Sequence, residues 1–314
     1  MKLAKKISIV VPCFNEAQSI QELYDNLIKV LAELSSYEYE IVFVDDGSYD
    51  FTPSILAEID ALDQSVIILT LSRNFGHQIA VTAGVDHATG DAVVLIDADL
   101  QDPPEIIVEM VKKWEQGCDV AYGVRTERAG ESKFKLLTAK VFYRLIDKLS
   151  DIPIPLDTGD FRLIDRSVVE AIKQMPERDR FIRGMVAWTG FRQEPVYYER
   201  NMRFAGHTKY PTRKMINFAL DAVMSFSIRP LQFATVIGFV IACGSVVGIC
   251  YSVAMRIFGD AWVPGWTLLF IAVLFLGGVQ LMFLGLIGEY LGRVYGEVKQ
   301  RPLYLLKNNQ KMRP

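Results

Sequence analysis

The stretch Ala92-Val-Val-Leu-Ile96-Asp97-Ala-Asp99-Leu-Gln101-Asp102-Pro103 joins five apolar residues directly to a cluster of carboxylate and amide side chains. A short apolar run bounded by turn residues predicts a buried strand, and open α/β sheets bind ligands beyond the carboxyl ends of such strands. Carboxylate and amide oxygens suit a hard divalent cation. The stretch therefore predicts a strand that ends at a cation site, although an isolated Asp-x-Asp is more often an acidic surface turn.

The segments around this stretch alternate between apolar runs and helix-like stretches. That order predicts a mainly parallel, Rossmann-like α/β sheet flanked by helices. The predicted elements are Ile7–Val11, Ile20–Leu34, Glu40–Asp45, Pro53–Leu62, Val66–Leu71, His77–Ala88 and Val120–Tyr122. Polar residues follow three strands, in Pro12-Cys-Phe-Asn-Glu16, Asp45-Asp-Gly-Ser48 and the Asp97 motif. We expect these three groups to meet at one edge of the sheet.

The last third of the chain is far less polar than the rest. Of the 314 residues 51% are hydrophobic, and the formal net charge of −3 gives no indication of a nucleic-acid partner. Pro230–Met255 and Ala261–Gly288 contain no charged residue, and each run exceeds the roughly 20 residues that cross a bilayer. They predict two transmembrane helices in a hairpin; the alternative is a pair of buried helices in a soluble core.

Charge at the two ends of the chain predicts its topology. The N-terminus shows lysines and a strand-like run instead of a secretory signal, and the tail after the second span is basic. The positive-inside rule therefore places the N-terminal domain and both termini in the cytoplasm. The predicted domains are an α/β domain at 1–210, an amphipathic helix at 211–228, the hairpin at 229–290 and a basic tail at 291–314. The amphipathic helix either lies in the membrane interface or packs between protomers.

Six motifs spread over nearly the whole chain carry a family resemblance. They are Val11-Pro-Cys-Phe-Asn-Glu16, Val44-Asp-Asp-Gly-Ser48, Asp97-Ala-Asp-Leu-Gln-Asp-Pro103, Thr158-Gly-Asp-Phe-Arg162, Gly288-Glu-Tyr-Leu-Gly292 and Arg301-Pro-Leu-Tyr304. With these motifs the chain resembles inverting family-two glycosyltransferases of the GT-A fold. Within that family it resembles the polyprenyl-phosphate glycosyltransferases typified by dolichol-phosphate mannose synthase, and most closely the bacterial enzymes that glucosylate undecaprenyl phosphate.

The resemblance implies a nucleotide pocket at the strand ends. Its residues are Pro12, Phe14, Glu16, Val44, Asp45, Asp46, Asp97 and Ala98. Arg73 is a further candidate for contact with the nucleotide phosphates, because it follows the third predicted strand. Phe14 stands where family members usually have Tyr, so a ring that can stack is kept and a hydroxyl is lost. Asp45 either shares the role of Asp46 or caps the following turn.

The resemblance also implies that Asp97, Asp99 and Gln101 hold Mg²⁺ or Mn²⁺ against the diphosphate of the donor. The metal would stabilise the negative charge that develops on the leaving nucleotide. We interpret Asp102 differently, as the cap of a helix that opens at Pro103-Pro104, because Asp is a favoured N-cap and Pro is favoured in the first turn.

A basic stretch follows the predicted strand Val120–Tyr122, with Arg125, Arg128, Lys133 and Lys135. From charge alone it is either a solvated loop or a phosphate site. The resemblance places the acceptor loop here, with Arg125 matching a phosphate-binding Arg. Arg203 and Lys209 match a further segment that reaches the diphosphate or the lipid phosphate, where charge alone favours a headgroup contact.

Asp157, with Asp160 as the second candidate, matches the region where the family keeps its catalytic acid. A phosphomonoester has a second pKa near 6, so the acceptor is largely ionised at neutral pH. Asp157 therefore either removes a proton or orients a substrate. The role of Arg180-Phe-Ile-Arg183 stays open.

Together these features predict an enzyme that transfers a sugar with inversion from a nucleotide sugar, with UDP-glucose favoured, to undecaprenyl phosphate. We expect it in the inner (plasma) membrane as a multi-pass protein among membrane lipids, and as a homo-oligomer such as a tetramer. The alternatives are another donor (GDP-mannose or a UDP-aminosugar), a processive polysaccharide synthase, and a non-catalytic nucleotide-sugar sensor. The missing Gln-x-x-Arg-Trp motif argues against the synthase, and the intact Asp97 motif argues against the sensor.

Overall fold

The computed structural model describes residues 5–126, 158–199, 229–258 and 266–307. These residues divide into two units. One comprises 5–126, 158–199 and 301–307, and the other comprises 229–258 and 266–300. The predicted amphipathic helix at 211–228 lies outside the described residues.

The first unit is built on a mixed sheet whose seven described strands lie in the order β3-β2-β1-β4-β6-β5-β7. Strands β1 to β4 are mutually parallel, β6 runs antiparallel to both β4 and β5, and β7 is parallel to β5. The predicted Rossmann-like sheet flanked by helices is therefore confirmed, with one antiparallel strand inserted. The strands are β1 Lys6–Cys13, β2 Glu38–Asp45, β3 Val66–Thr70, β4 Ala92–Leu95, β5 Val120–Arg125, β6 Thr158–Asp165 and β7 Gln193–Tyr198.

Six helices cover the two faces of the described sheet: α1 Ile20–Glu33, α2 Thr52–Leu62, α3 His77–His87, α4 Ile106–Glu115, α5 Arg166–Lys173 and α6 Ile182–Trp188. Successive side chains of a strand point to opposite faces. Ile9 and Val11 accordingly join the core under α1, α2 and α4, while Val10 joins the core under α3, α5 and α6. Gly84 lets α3 approach β1 closely, because a Cβ there would overlap the Val10 side chain.

The parallel register brings the polar strand ends together at one edge. Cys13 at the end of β1 pairs with Asp45 at the end of β2, and Val10 of β1 pairs with Leu95 at the end of β4. Residues that follow β1, β2 and β4 therefore emerge at the same edge, as the sequence predicts.

The second unit contains two long helices, α7 Arg229–Phe258 and α8 Trp266–Val298. Among the described residues, one segment is long and apolar enough to cross a membrane: Phe275–Val298, with a mean hydropathy of 1.4 and no burial. Leu281, Leu284 and Leu291 are exposed on it. The two-span hairpin stays a prediction.

Glu40 lies near the start of β2, at the end of the sheet opposite the polar strand ends, and its carboxylate is only 3% exposed. Lys6 Nζ lies 2.5 Å from it, Ser8 Oγ donates at 2.6 Å, and Thr89 donates through both its N–H and its hydroxyl. Burial alone would raise the pKa of Glu40, but the hydrogen bonds from Lys6, Ser8 and Thr89 outweigh it and lower the pKa. These contacts connect β1, β2 and the residues that precede β4.

We predict that Glu40→Gln lowers the free energy of unfolding by about 2 kcal/mol at pH 7, because an uncharged amide loses the charge-assisted hydrogen bonds. A carboxylate whose pKa is lowered by folding stabilises the fold fully above its ordinary value near 4.5, and this contribution is lost as the pH falls through the lowered value. The difference between the two proteins should therefore shrink in acid. Thermal unfolding between pH 7 and pH 3 measures it.

Glu38→Gln is the matched control, since Glu38 lies on the same strand but is exposed. It should change the unfolding temperature little at any pH. A deficit in Glu40→Gln that is equally large at pH 3 would contradict the ionic account.

Candidate active site

The loops after β1 and β2 are joined through Asp45, Ser48 and Asn15. Asp45 Oδ1 accepts the Ser48 N–H at 2.9 Å, Ser48 Oγ accepts the Asn15 N–H at 3.0 Å, and Asn15 Oδ1 accepts the Tyr49 N–H at 3.0 Å. Asn15 adopts a positive φ of 54°, which Asn tolerates better than most residues. Asp45 thus makes the turn-capping contact that was one of its two predicted roles. The rings of Phe14 and Tyr49 meet edge to face, 5.7 Å apart.

Asp46 is buried and holds the loop between β3 and α3. Its two carboxylate oxygens accept the N–H groups of Phe75 and Gly76 at 2.7 and 2.9 Å. Burial raises the pKa of Asp46 although these two hydrogen bonds oppose the shift. Gly47, with a positive φ of 72°, faces the same loop, and a Cβ there would lie 2.7 Å from the carbonyl carbon of Arg73. The motif Asp45-Asp-Gly-Ser48 therefore packs directly against residues 73–76.

Arg73 belongs to this loop and is exposed. Its guanidinium lies over the Phe75 ring, 4.0 Å from the centroid, and its Nη1 donates to the Asn74 carbonyl at 2.9 Å. These two contacts fix the orientation of the Arg73 side chain near the polar strand ends, and the side chain is exposed there and accessible to an anion.

Asp97 emerges from β4 into a concentration of negative charge. Burial raises its pKa, His77 opposes the rise, and the Asp160, Asp102 and Asp99 carboxylates add to it. Burying a charge is unfavourable unless another charge compensates it, so a cation at this position would relieve the repulsion. The chemistry of the donor set therefore fits a divalent metal.

The geometry around the motif supports a partly open site. Leu100 has a positive φ of 58°, and Asp99 Oδ1 accepts the Gln101 N–H at 3.2 Å, so the chain turns tightly within the motif. Among the described residues, three or more His, Cys, Asp or Glu side chains do not come together as a metal site. The predicted set supplies two carboxylates and one amide, and donor phosphates or water would have to complete it.

A network around Asp160 lies beside Asp97. Arg183 Nε donates to Asp160 Oδ1 at 2.7 Å, and His77 Nε2 and Gln78 Nε2 each lie 3.1 Å from Oδ2. Arg183 Nη1 also donates to the Thr158 carbonyl at 2.7 Å. Burial opposes ionisation of Asp160, but Arg183 and His77 outweigh it and hold its pKa well below the usual range. Asp160 is thus a fully engaged carboxylate that joins β6, α3 and α6.

His77 bridges this network to the Asp97 motif. Its Nε2 lies 3.6 Å from Asp97 Oδ1. Burial would lower the pKa of His77, but Asp97 and Asp160 outweigh burial and raise it. The imidazolium therefore neutralises part of the charge at the end of β4.

Arg125, at the end of β5, is held by Asp102 and Tyr198. Its Nη2 lies 3.6 Å from Asp102 Oδ1, its Nε donates to the Tyr198 hydroxyl at 3.3 Å, and that hydroxyl donates to Asp102 at 2.5 Å. Gly159 provides the space, because a Cβ there would lie 2.7 Å from Arg125 Nη2. Burial and the neighbouring Asp102 raise the pKa of Tyr198. Arg125 is therefore fixed in orientation next to the Asp97 motif.

The interpretation of Asp102 as a helix cap is wrong. Helix α4 begins at Ile106, and Glu105 occupies its capping position without a side-chain hydrogen bond. Asp102 is fully buried and contacts Tyr198 and Arg125 instead. The two prolines that suggested the cap lie in the turn before the helix.

The remaining predicted residues lie either at the strand ends or outside the described residues. Val44 and Ala98 are buried, and Pro12 lies on β1 opposite Val44. The Glu16 N–H donates to Thr52 Oγ1 at 2.9 Å, and Ser19 Oγ donates to the Glu16 carboxylate at 3.2 Å. The residues outside the described part are Arg128, Lys133, Lys135, Asp157, Arg203 and Lys209.

Four side chains at this edge have no role in the sequence-based site: His77, Gln78, Arg183 and Tyr198. His77 and Gln78 open α3 directly after the β3 loop, which is a position where a parallel sheet exposes functional residues. Arg183 belongs to the Arg-Phe-Ile-Arg segment whose role was open. Tyr198 shows no signal, because its partners lie 73 and 96 residues away in the chain.

Comparison with known proteins identifies the family. Residues 8–173 match the family model described as glycosyl transferase family 2. The chain belongs to this family. The chain is 47% identical to the uncharacterized glycosyltransferase YkcC of Bacillus subtilis, over 96% of its own length and 93% of that protein. It is 45% identical to the prophage bactoprenol glucosyl transferase homolog of Escherichia coli, over 98% and 100%.

A third glycosyltransferase of this family, the uncharacterized sll0501 of Synechocystis, is 49% identical over 96% of this chain and 95% of its own. Among solved structures, the present structure is similar to glucosyl-3-phosphoglycerate synthase from Mycobacterium tuberculosis. The similarity covers 70% of this chain and 78% of the synthase. The identity is 19% and the TM-score is 0.45. The family match makes the protein a family-two glycosyltransferase.

We predict that Tyr198→Phe in this glycosyltransferase lowers the rate of glycosyl transfer by about tenfold, because Arg125 loses one of the two groups that orient it. The variant should also unfold at a lower temperature, since the buried Asp102 loses a hydrogen bond worth about 1–2 kcal/mol. Initial rates and thermal unfolding of the full-length protein measure both effects.

Tyr197→Phe is the neighbouring control, because the Tyr197 side chain is 63% exposed. It should keep both the rate and the unfolding temperature. Equal behaviour of the two variants would show that the Tyr198 hydroxyl does not position Arg125.

Proposed function

We propose that this glycosyltransferase transfers glucose from UDP-glucose to undecaprenyl phosphate, with inversion at the anomeric carbon. One observation carries the proposal: the structure sets a candidate cation motif beside an oriented Arg. Asp102 directly follows Gln101 in the chain, and its carboxylate lies 3.6 Å from Arg125. A metal-bound diphosphate and an acceptor phosphate would therefore have adjacent sites. Relatives named bactoprenol glucosyl transferase, 44% identical over 97–98% of this chain, support the acceptor and the sugar.

The donor would bind along the ends of β1, β2 and β4. We propose that the Phe14 ring and the carboxylate of Glu16 face the base and ribose, and that Arg73 approaches the diphosphate from the rim. The hydrogen bonds that link Asp45, Ser48 and Asn15 would hold these groups in place before the donor arrives. Preorganisation of this kind reduces the entropy lost on binding.

Asp97, Asp99 and Gln101 would hold Mg²⁺ or Mn²⁺. When bound, the cation would supply Lewis-acid stabilisation of the charge on the leaving nucleotide. His77, hydrogen-bonded to Asp160, would keep the Asp97 carboxylate oriented toward that position.

Arg125 would bind the phosphate of the lipid acceptor. A guanidinium can donate two parallel hydrogen bonds to a phosphate, and its orientation between Asp102 and Tyr198 would align the phosphate with the donor. An acceptor oxygen then forms a bond to the anomeric carbon while the bond to the diphosphate breaks, and UDP leaves with the bonding electrons. Arg128, Lys133, Lys135, Arg203 and Lys209 would extend the positive region around the acceptor.

Asp160 would organise the site and take no proton. It is already engaged by Arg183, His77 and Gln78 and has a lowered pKa, which makes it a poor general base. Asp157 remains the candidate that orients the acceptor or removes its last proton.

The protein would act at the cytoplasmic face of the inner membrane. The exposed apolar segment Phe275–Val298 supports membrane association, and the charge-free run in α7 supports a second span. We propose the four domains at 1–210, 211–228, 229–290 and 291–314, with both termini in the cytoplasm. A homo-oligomer such as a tetramer would give the two spans helical neighbours in the bilayer.

The test is transfer of radiolabelled glucose to undecaprenyl phosphate by the purified full-length protein. We predict glycolipid formation that chelation abolishes and that added Mg²⁺ or Mn²⁺ restores, because the leaving diphosphate needs a cation. Asp99→Ala should lower the rate by about 100-fold or more. Asp60→Ala, which removes an exposed carboxylate on α2, is the control and should keep the rate.

A normal rate in Asp99→Ala would show that the metal assignment is wrong. A panel with GDP-mannose and UDP-N-acetylglucosamine decides the donor: faster transfer from either one would replace UDP-glucose in the proposal. Transfer to a growing polysaccharide instead of the lipid would favour the processive synthase.

A further inference from the structure

The segment Arg301–Lys307, which follows α8 in the chain, pairs with the chain directly after the edge strand β3 through an isolated β-bridge. Leu306 forms an antiparallel bridge with Leu71, the residue directly after β3. The Lys307 N–H donates to the Thr70 carbonyl at 2.8 Å, and the Ser72 N–H donates to the Leu305 carbonyl at 2.7 Å. Since β3 is an edge strand, these contacts pair backbone groups that would otherwise face solvent.

Side chains of the segment attach it to α3 as well. The Tyr304 hydroxyl donates to Asp86 Oδ2 at 3.1 Å, and its ring lies 6.1 Å from the His87 ring. Tyr304 and Leu306 both pack against the core under α3. Arg178 Nη1 donates to the Arg301 carbonyl. The segment therefore contacts the residues at the end of β3 and the residues at the end of α3.

The residues that receive this segment lead directly into the candidate donor site. The Leu71 N–H donates to the Asp45 carbonyl at 2.9 Å, so Leu71 lies between Asp45 and Leu306. The loop 72–76 follows, and it ends where Asp46 accepts the Phe75 and Gly76 N–H groups. The loop is thus anchored on one side by the segment and on the other by Asp46.

We propose that Arg301–Lys307 is a positioning segment of the donor site. By pairing with Thr70 and Ser72 it holds the loop 72–76 in the conformation that Asp46 binds, and it thereby sets the affinity for the nucleotide sugar. The proposal rests on the proposed function, in that it assumes that the donor binds at this edge of the sheet. It also gives the Arg-Pro-Leu-Tyr motif a role within the catalytic unit.

The contacts of this segment are few, so it should undock at a lower free energy than global unfolding requires. A covalent tether supplies such a segment at an effective concentration of about millimolar. A synthetic peptide with the sequence of residues 301–314 should therefore replace a weakened segment when it is added at that concentration.

The test uses two variants of the full-length protein. Leu306→Asp places a charge against the core, and Tyr304→Phe removes the hydrogen bond to Asp86. We expect Leu306→Asp to raise the KM for UDP-glucose by about tenfold with kcat within about twofold, and Tyr304→Phe to give a smaller rise of the same kind. The peptide should restore the KM of Leu306→Asp. Leu305→Ala is the control, because its side chain is 56% exposed while its backbone makes the contact.

Hydrogen exchange provides a readout that does not depend on the donor. The Phe75 and Gly76 amides bond to Asp46 and not to the segment, so they should exchange faster in Leu306→Asp only if the segment orders the loop. Unchanged exchange at these two amides, or an unchanged KM in Leu306→Asp, would overturn the proposal. If the wild-type protein transfers no glucose from UDP-glucose, the proposed function fails, while the exchange of Phe75 and Gly76 still decides whether the segment orders the loop.

Discussion

The described site depends on the hydrogen bonds that the buried carboxylate of Asp160 accepts. It accepts from Arg183 on α6 and from His77 and Gln78 on α3, and it extends from β6 in the middle of the sheet. Removing one partner of a buried ion pair costs about 3–5 kcal/mol, because the other charge is left uncompensated. The network therefore fixes the start of α3 and the position of α6 relative to the end of β4.

This arrangement determines the charge balance at the sheet edge. His77 offsets part of the negative charge on Asp97, and Arg125 offsets part of that on Asp102. Two cationic side chains therefore lie beside the first and the last carboxylate of the Asp97 motif. Asp99 and Gln101 lie between those two carboxylates in the chain. A site with this alternation can take a cation and two phosphates without burying unpaired charge, which is what transfer from a nucleotide sugar to a lipid phosphate requires.

Much of the fold was predictable from local patterns. The apolar runs located β1, β2, β3 and β4 to within about two residues, because a buried strand needs uninterrupted apolar side chains. The positions of Asp46 and Asp97 at the sheet edge followed from their places after strands. The order of β5, β6 and β7 was not predictable, since antiparallel insertion of β6 depends on contacts between distant segments.

The contacts that orient the side chains of the site could not be predicted from sequence spacing, for the same reason. Asp102 has the sequence context of a helix cap, yet its carboxylate accepts a hydrogen bond from Tyr198, which lies 96 residues further along the chain. Asp160 and His77 are 83 residues apart in the chain. Leu306 follows both apolar helices in the chain, yet it pairs with Leu71. Local propensity describes elements, whereas these polar pairs arise only once the sheet has brought its ends together.

The most direct test of this account is the affinity of Asp160→Asn for UDP in the presence of Mn²⁺, measured by titration calorimetry on the full-length protein. If Asp160 organises the donor site, UDP binding should weaken by about tenfold or more, together with transfer. UDP binding at wild-type affinity with transfer abolished would contradict the account, because Asp160 would then act in the chemical step instead of holding the site.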